Sequence, residues 1–148
     1  MKEKLLLIDD DADYRLALGR LLSVHFEVVE ATTLNEGIHQ ALGDQYLCIL
    51  LDLALPDSAW PQTFKRFSEI TQAPSVIVVS GRDDPELVAA SIRAGAAGYL
   101  VKGRDDVDAE HLLTAIRRAV LHKSSERGLQ EAAQIAHDTA QVRRPDAP

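Results

Sequence analysis

A chain of 148 residues, 46% hydrophobic and 26% charged, is long enough for one hydrophobic core and too short for two ordinary domains. Its net charge of −7 with no basic cluster argues against a direct nucleic-acid-binding surface, and its apolar runs fall far short of the roughly 20 residues that cross a bilayer. The opening residues MKEKLLLIDD return to charge before a signal-peptide core forms, so a cytoplasmic protein with no membrane partner is expected.

Residues 5–8 form a short continuous apolar run, as a strand covered on both faces would, and Asp9, Asp10 and Asp11 follow it. Tyr14, Ala17, Leu18, Leu21 and Leu22 then recur at helical spacing, with Asp11 suited to cap them. A second strand is predicted over residues 26–29, ahead of Glu30 and Ala31. A second helix follows on Leu34, Ile38, Ala41 and Leu42, with Thr33 and Glu36 placed as a capping box. Residues 47–51 are again continuous and apolar and run into Asp52; they include the single cysteine, Cys48, read as a buried core thiol. Asp57 supplies turn chemistry after Pro56. A third helix starts near Pro61, with Trp60 packed beside it and Phe64, Phe67 and Ile70 pointing inward. The strand at 76–79 ends at Ser80 and Gly81, and a fourth helix opens at Asp84-Pro85 and closes at Gly95. The strand at 99–101 is followed by Lys102 and Gly103. Asp108 then caps a fifth helix striped by Leu112, Leu113, Ile116, Ala119 and Val120. Residues 1–123 are thus one domain. Residues 124–148, with a thin stripe at Leu129, Ala133, Ala136 and Ala140, are a helical extension or linker with a disordered end.

Strand and helix alternating five times with short connections predict an α/β doubly wound parallel sheet with helices on both faces. Ligands bind such sheets at the carboxyl ends of the strands. Those ends carry Asp9 and Asp10, Asp52, Ser80 with Gly81, and Lys102, groups that converge on one edge only if the sheet is parallel. A buried carboxylate after an apolar run is costly unless compensated, so Asp52 either sits at a wet rim or has a chemical task. Clustered carboxylates take up a proton or hold a cation, and Mg²⁺ suits a few oxygen ligands with water positions left open. A carboxylate nucleophile with a metal, a lysine and a hydroxyl makes a site for phosphoryl transfer to aspartate, with Asp52 the acceptor.

The segments LLLIDDDADYR, ILLDLALPD, VIVVSGRDD and GYLVKG resemble, in order and spacing, the signature segments of the response-regulator receiver domain of two-component signalling (CheY-like superfamily), over about residues 3–122. The resemblance implies a flavodoxin-like sheet of strand order 2-1-3-4-5. It implies that Asp52 is phosphorylated by a histidine kinase or phosphotransfer protein. Mg²⁺ would be held by Asp9, Asp10, Asp52 and the backbone carbonyl of Ala54, while Lys102 pairs with the phosphoryl group. Ser80, followed by Gly81, stands at the switch position, and Tyr99 at the aromatic position that moves on activation. The output would act through the fourth helix, fifth strand and fifth helix on a second copy of the chain or on an output domain or protein.

Two departures are visible. Gly103 follows the lysine where many members have a proline in a cis peptide, and LPDSAW stands where a glycine is common. Two other readings remain open. A phosphatase-like hydrolase would use Asp52 as nucleophile, but enzymes of the haloacid-dehalogenase type carry a second aspartate where Ala54 stands, so a receiver and not an enzyme is expected. A phosphorylation-independent interaction domain is the other.

Overall fold

In the computed structural model, residues 2–71, 75–106 and 108–122 are described. The expected extension over 124–148 lies outside them. The chain runs β1 (Lys4–Ile8), α1 (Ala12–Leu22), β2 (Glu27–Ala31), α2 (Leu34–Gly43), β3 (Cys48–Asp52), α3 (Gln62–Thr71), β4 (Val76–Ser80), α4 (Pro85–Arg93) and β5 (Gly98–Val101). A helix over residues 109–122, α5, follows. The five strands form one parallel sheet in the order β2-β1-β3-β4-β5. The expected strand order and doubly wound architecture are both present.

Burial follows position in the sheet. Every residue of β3 and β4 is buried, whereas β2, at an edge, exposes Glu27 and Glu30. Because successive strand side chains alternate faces, the sheet separates two cores. Leu6, Ile8, Ile49, Leu51, Val76 and Val78 pack with Leu34, Ile38, Phe64, Phe67 and Leu87 of α2, α3 and α4 on one face. Leu5, Leu7, Cys48, Leu50, Ile77 and Val79 pack with Leu18 and Leu22 of α1 and with Leu112, Ile116 and Ala119 of α5 on the other. Each such fully buried side chain contributes about 2 kcal/mol of burial free energy. Cys48 is wholly buried, and burial pushes its thiol up to about 12, so it is a core residue as expected.

The helix ends match the capping chemistry with one variation. Asp11 accepts from the N–H groups of Asp13 and Tyr14, Asp84 from those of Glu86 and Leu87, and Asp108 from that of His111. Gly95, at φ 112, takes the left-handed turn past α4 that a Cβ would oppose. At α2 the Thr33 hydroxyl accepts from Glu36 N–H, but the Glu36 carboxylate returns to Thr32 rather than to Thr33. Trp60 is half-buried against the α3 side of the core, as expected. Ile70 and Leu42, expected inside, are 45% and 61% exposed, and Ala17 is exposed as well. Helical spacing alone marks a stripe wider than the sheet can cover. The second strand begins one residue later than predicted and extends through Ala31, because its ladder with β1 runs from Lys4↔Glu27 to Ile8↔Ala31. No helix among the described residues is long and apolar enough to cross a membrane.

Candidate functional site

Parallel register brings the strand ends together. Ile8 pairs with Leu51, so Asp9 and Asp52 are the next residues on adjacent strands. The Asp9 N–H donates to the Ala31 carbonyl at 3.0 Å, which extends the β1–β2 ladder one residue beyond the strand. At the other side, Lys102 N–H donates to the Ser80 carbonyl at 2.8 Å and likewise prolongs the β4–β5 ladder. The backbone thus fixes where the acids and the lysine leave the sheet.

Asp9 and Asp52 are both buried, 1% and 6% exposed, whereas Asp10 is exposed. Each of the three offers a carboxylate oxygen within 4.8 Å of the others. Asp9 Oδ1 is occupied by the Asp11 N–H at 2.9 Å. Asp9 Oδ2 lies 2.7 Å from Lys102 Nζ, close enough to pair by charge, yet no aligned hydrogen bond reaches this buried oxygen. Three carboxylates whose oxygens lie this close, two of them buried, are the donor set a hard divalent cation takes, so the residues present fit Mg²⁺.

Asp52 is the electrostatic centre of the pocket. Burial raises its carboxyl to about 6, against the opposing pull of Lys102, whose Nζ lies 3.3 Å from Oδ2, and of the Ala54 N–H, which donates to Oδ1 at 3.1 Å. Near neutral pH it is ionised, and it is less stabilised than an ordinary surface carboxylate. Burial also works against the charge on Lys102, but Asp9 and Asp52 together outweigh it and hold the ammonium above its ordinary range. The pocket therefore holds a positive group between two negative ones.

The loop after β3 is braced from two sides. Leu55 and Ser58 exchange N–H to carbonyl bonds across the turn, and the buried Thr63 hydroxyl donates to the Leu53 carbonyl at 2.8 Å. Asp57, expected as a turn residue, has a longer reach. Its two oxygens accept from the Leu34 and Asn35 N–H groups at 2.8 and 3.0 Å, so it caps α2 from a different loop. Ala54 is exposed next to Asp52.

Ser80 and Tyr99 meet at one residue. The Arg82 N–H donates to Ser80 Oγ at 3.2 Å, and the Tyr99 hydroxyl donates to the Arg82 carbonyl at 2.9 Å. The Ser80 hydroxyl is therefore directed at its own loop and not at the carboxylates, and Gly81 is exposed between the two. Gly103 turns with φ 81, which answers the missing proline with a left-handed residue that glycine accommodates. Arg15, Tyr14 and Asp106 also belong to this neighbourhood, although the sequence reading gives none of them a role at the site. Arg15 donates to the Asp9 carbonyl at 2.7 Å and pairs with Glu30 at 3.4 Å, so the edge strand does reach the rim of the site.

An order 2-1-3-4-5 sheet with two acids and a lysine paired at its carboxyl edge defines a receiver-type α/β domain. Residues 5–117 match the family model of the response regulator receiver domain, and the chain belongs to that family. It is 31% identical over 103 residues, 69% of its length, to the transcriptional regulatory protein SrrA of Staphylococcus aureus, and the match spans 42% of that protein. Among solved structures it is similar to a CheY-like receiver domain from Methanospirillum hungatei JF-1, with a TM-score of 0.72 and 24% identity over 85% of this chain and 99% of that one. A receiver domain from Clostridium thermocellum gives a TM-score of 0.70 with 26% identity, over 82% and 97% of the two chains.

Proposed function

We propose that the chain is a phosphoacceptor switch, in which Asp52 takes a phosphoryl group from a histidine kinase or phosphotransfer protein in the cytoplasm. The observation that carries this reading is the buried Asp9–Lys102–Asp52 arrangement, with Lys102 Nζ 2.7 Å from one carboxylate and 3.3 Å from the other. Asp9, Asp10 and Asp52 would hold Mg²⁺, joined by the Ala54 carbonyl. Bound there, the ion would supply neutralisation of phosphoryl oxygens. An Asp52 carboxylate oxygen forms the new bond to phosphorus. The bond from phosphorus to the donor nitrogen breaks, and its electron pair leaves with the imidazole, which takes a proton. Lys102 follows the incoming charge and keeps its pairing with Asp9.

A phosphorylated Asp52 offers new acceptor oxygens to Ser80. Turning the Ser80 hydroxyl toward them releases the Arg82 N–H, and the Tyr99 bond to the same residue then carries the change to β5. Output follows as altered binding of a second copy, or of an output domain or protein, to the α4-β5-α5 face. Steady turnover is disfavoured because Ala54 offers no acid or base two residues after the nucleophile.

Acetyl phosphate with Mg²⁺ should add one phosphoryl mass to the wild type and none to Asp52→Asn. Equal modification of the two by intact mass removes the reading, and rapid repeated hydrolysis of a phosphomonoester favours the hydrolase.

A further inference from the structure

Lys102 has a third neighbour besides its two carboxylates. Its Nζ lies 4.5 Å from the centroid of the Tyr14 ring, within reach of a cation–π attraction. The Tyr14 hydroxyl donates to Asp106 Oδ2 at 2.5 Å, and Asp106 Oδ1 accepts from the Gly103 N–H at 2.8 Å. One buried carboxylate thus ties α1 to the loop after β5, and its backbone anchor is the residue next to Lys102. A carboxylate suits the position because both oxygens accept. An amide keeps one acceptor oxygen for the Gly103 N–H and meets the Tyr14 hydroxyl with a donor, which reverses that bond. Burial, joined by the Asp106 bond, raises Tyr14 far above the ordinary phenol range, so its hydroxyl stays a donor.

The pocket chemistry proposed above uses neither residue. Tyr14 reads from sequence as core, and half of it does pack against the α1–α5 core. Its other half does something the periodicity does not predict. Lysine has a flexible four-carbon stem, and charge alone leaves it free to choose between Asp9 and Asp52. A ring on one side and a pinned backbone on the other narrow that freedom.

We propose that Tyr14 and Asp106 are positioning residues that hold Lys102 over the Asp9–Asp52 pair, Tyr14 through its ring and Asp106 through the Tyr14 hydroxyl and the Gly103 backbone. The geometry stands by itself, and its consequence for phosphoryl transfer rests on the phosphoacceptor reading.

Two measurements on the full chain test this. The first needs no phosphoryl transfer: the ε-CH₂ proton signals of Lys102, assigned by Lys102→Arg, are shifted upfield by the Tyr14 ring current in the wild type. Tyr14→Leu and Asp106→Ala return them toward the other lysines, and Tyr14→Phe returns them partway. The second is the rate of Asp52 modification by acetyl phosphate and Mg²⁺, read by intact mass. It falls about tenfold in Asp106→Ala and about threefold in Tyr14→Phe, a fall of the size that misplacement of a charged group produces. Tyr14→Phe keeps the packing and carries the test if Asp106→Ala does not fold. Lys102 signals unchanged in Tyr14→Leu and Tyr14→Phe overturn the positioning role, whatever the rates do. A wild type that is never modified overturns the phosphoacceptor reading and leaves the first measurement to decide this one.

Discussion

Ser80 and Tyr99 grip the same residue from opposite ends: Ser80 Oγ accepts the Arg82 N–H, and the Tyr99 hydroxyl donates to the Arg82 carbonyl. The bonds of both meet at one residue of the β4–α4 loop, which couples them. Ser80→Ala and Tyr99→Phe should each lower stability by about 1 kcal/mol, the net worth of one hydrogen bond. Because both fix one residue, the double variant should lose less than the sum, by about 0.5 kcal/mol or more. Urea unfolding of the four proteins reads the cycle, and strict additivity would show that the loop does not link them.

The metal-free pocket should make stability depend on pH through Asp52. Its carboxyl is raised from 3.8 to about 6, chiefly by burial. The folded protein keeps a proton that the unfolded chain releases near pH 4. Stability therefore falls as pH rises from about 4 to 6 and levels off above. Asp52→Asn carries no such charge. Linkage gives it about 3 kcal/mol over the wild type at pH 8, a net figure in which the opposing attraction of Lys102 is already contained. The advantage should shrink toward zero at pH 4. Denaturation in chelator at both pH values checks this, and a difference independent of pH would contradict it.

Divalent cations should reverse that penalty. An ion held at the proposed site, which exists only in the folded state, should raise the melting temperature with the logarithm of its excess over Kd. Asp10 is exposed, so its substitution takes away a proposed ligand without opening the core. Asp10→Ala should melt within about 0.5 kcal/mol of the wild type in chelator, since exposed substitutions are mild, and should gain far less from added Mg²⁺. An equal Mg²⁺ gain in both proteins would place the ion elsewhere.

Asp57 holds the start of α2 from the loop after β3. Burial is the largest single influence and pulls its carboxyl up, but the N–H groups of Asn35 and Leu34, with the charge of Arg66, together outweigh it and hold the carboxyl below the usual range. Asp57→Ala should cost about 1–2 kcal/mol, as loss of a helix cap does. That contribution is present above the ordinary carboxylate range and is lost as pH falls through the depressed pKa. A pH titration of the difference between the two proteins, followed by unfolding, would expose a cap that does not exist.

The fold was legible because it depends on local patterns. Continuous runs such as ILLD and VIVVS occur where helices cover both faces of a parallel sheet, and the strand ends then share one edge whatever the loops do. Asp9, Asp10, Asp52, Ser80 and Lys102 could be named from that edge alone, and the resemblance gave them roles. Side chains that act across the fold were not legible. Tyr14 has the spacing of a core residue, and Asp57 and Asp106 have the look of ordinary loop acids. Their partners lie 92 residues away for Tyr14 and Asp106, and 23 and 22 for Asp57. Periodicity reports which face a residue occupies, with no information on which polar group will stand opposite. That choice is made when tertiary packing brings donors and acceptors from distant segments within hydrogen-bond reach. The sequence by itself determined the sheet and the acids at its edge. Only the tertiary structure decided that Lys102 is steered by a ring and that Ser80 and Tyr99 share Arg82.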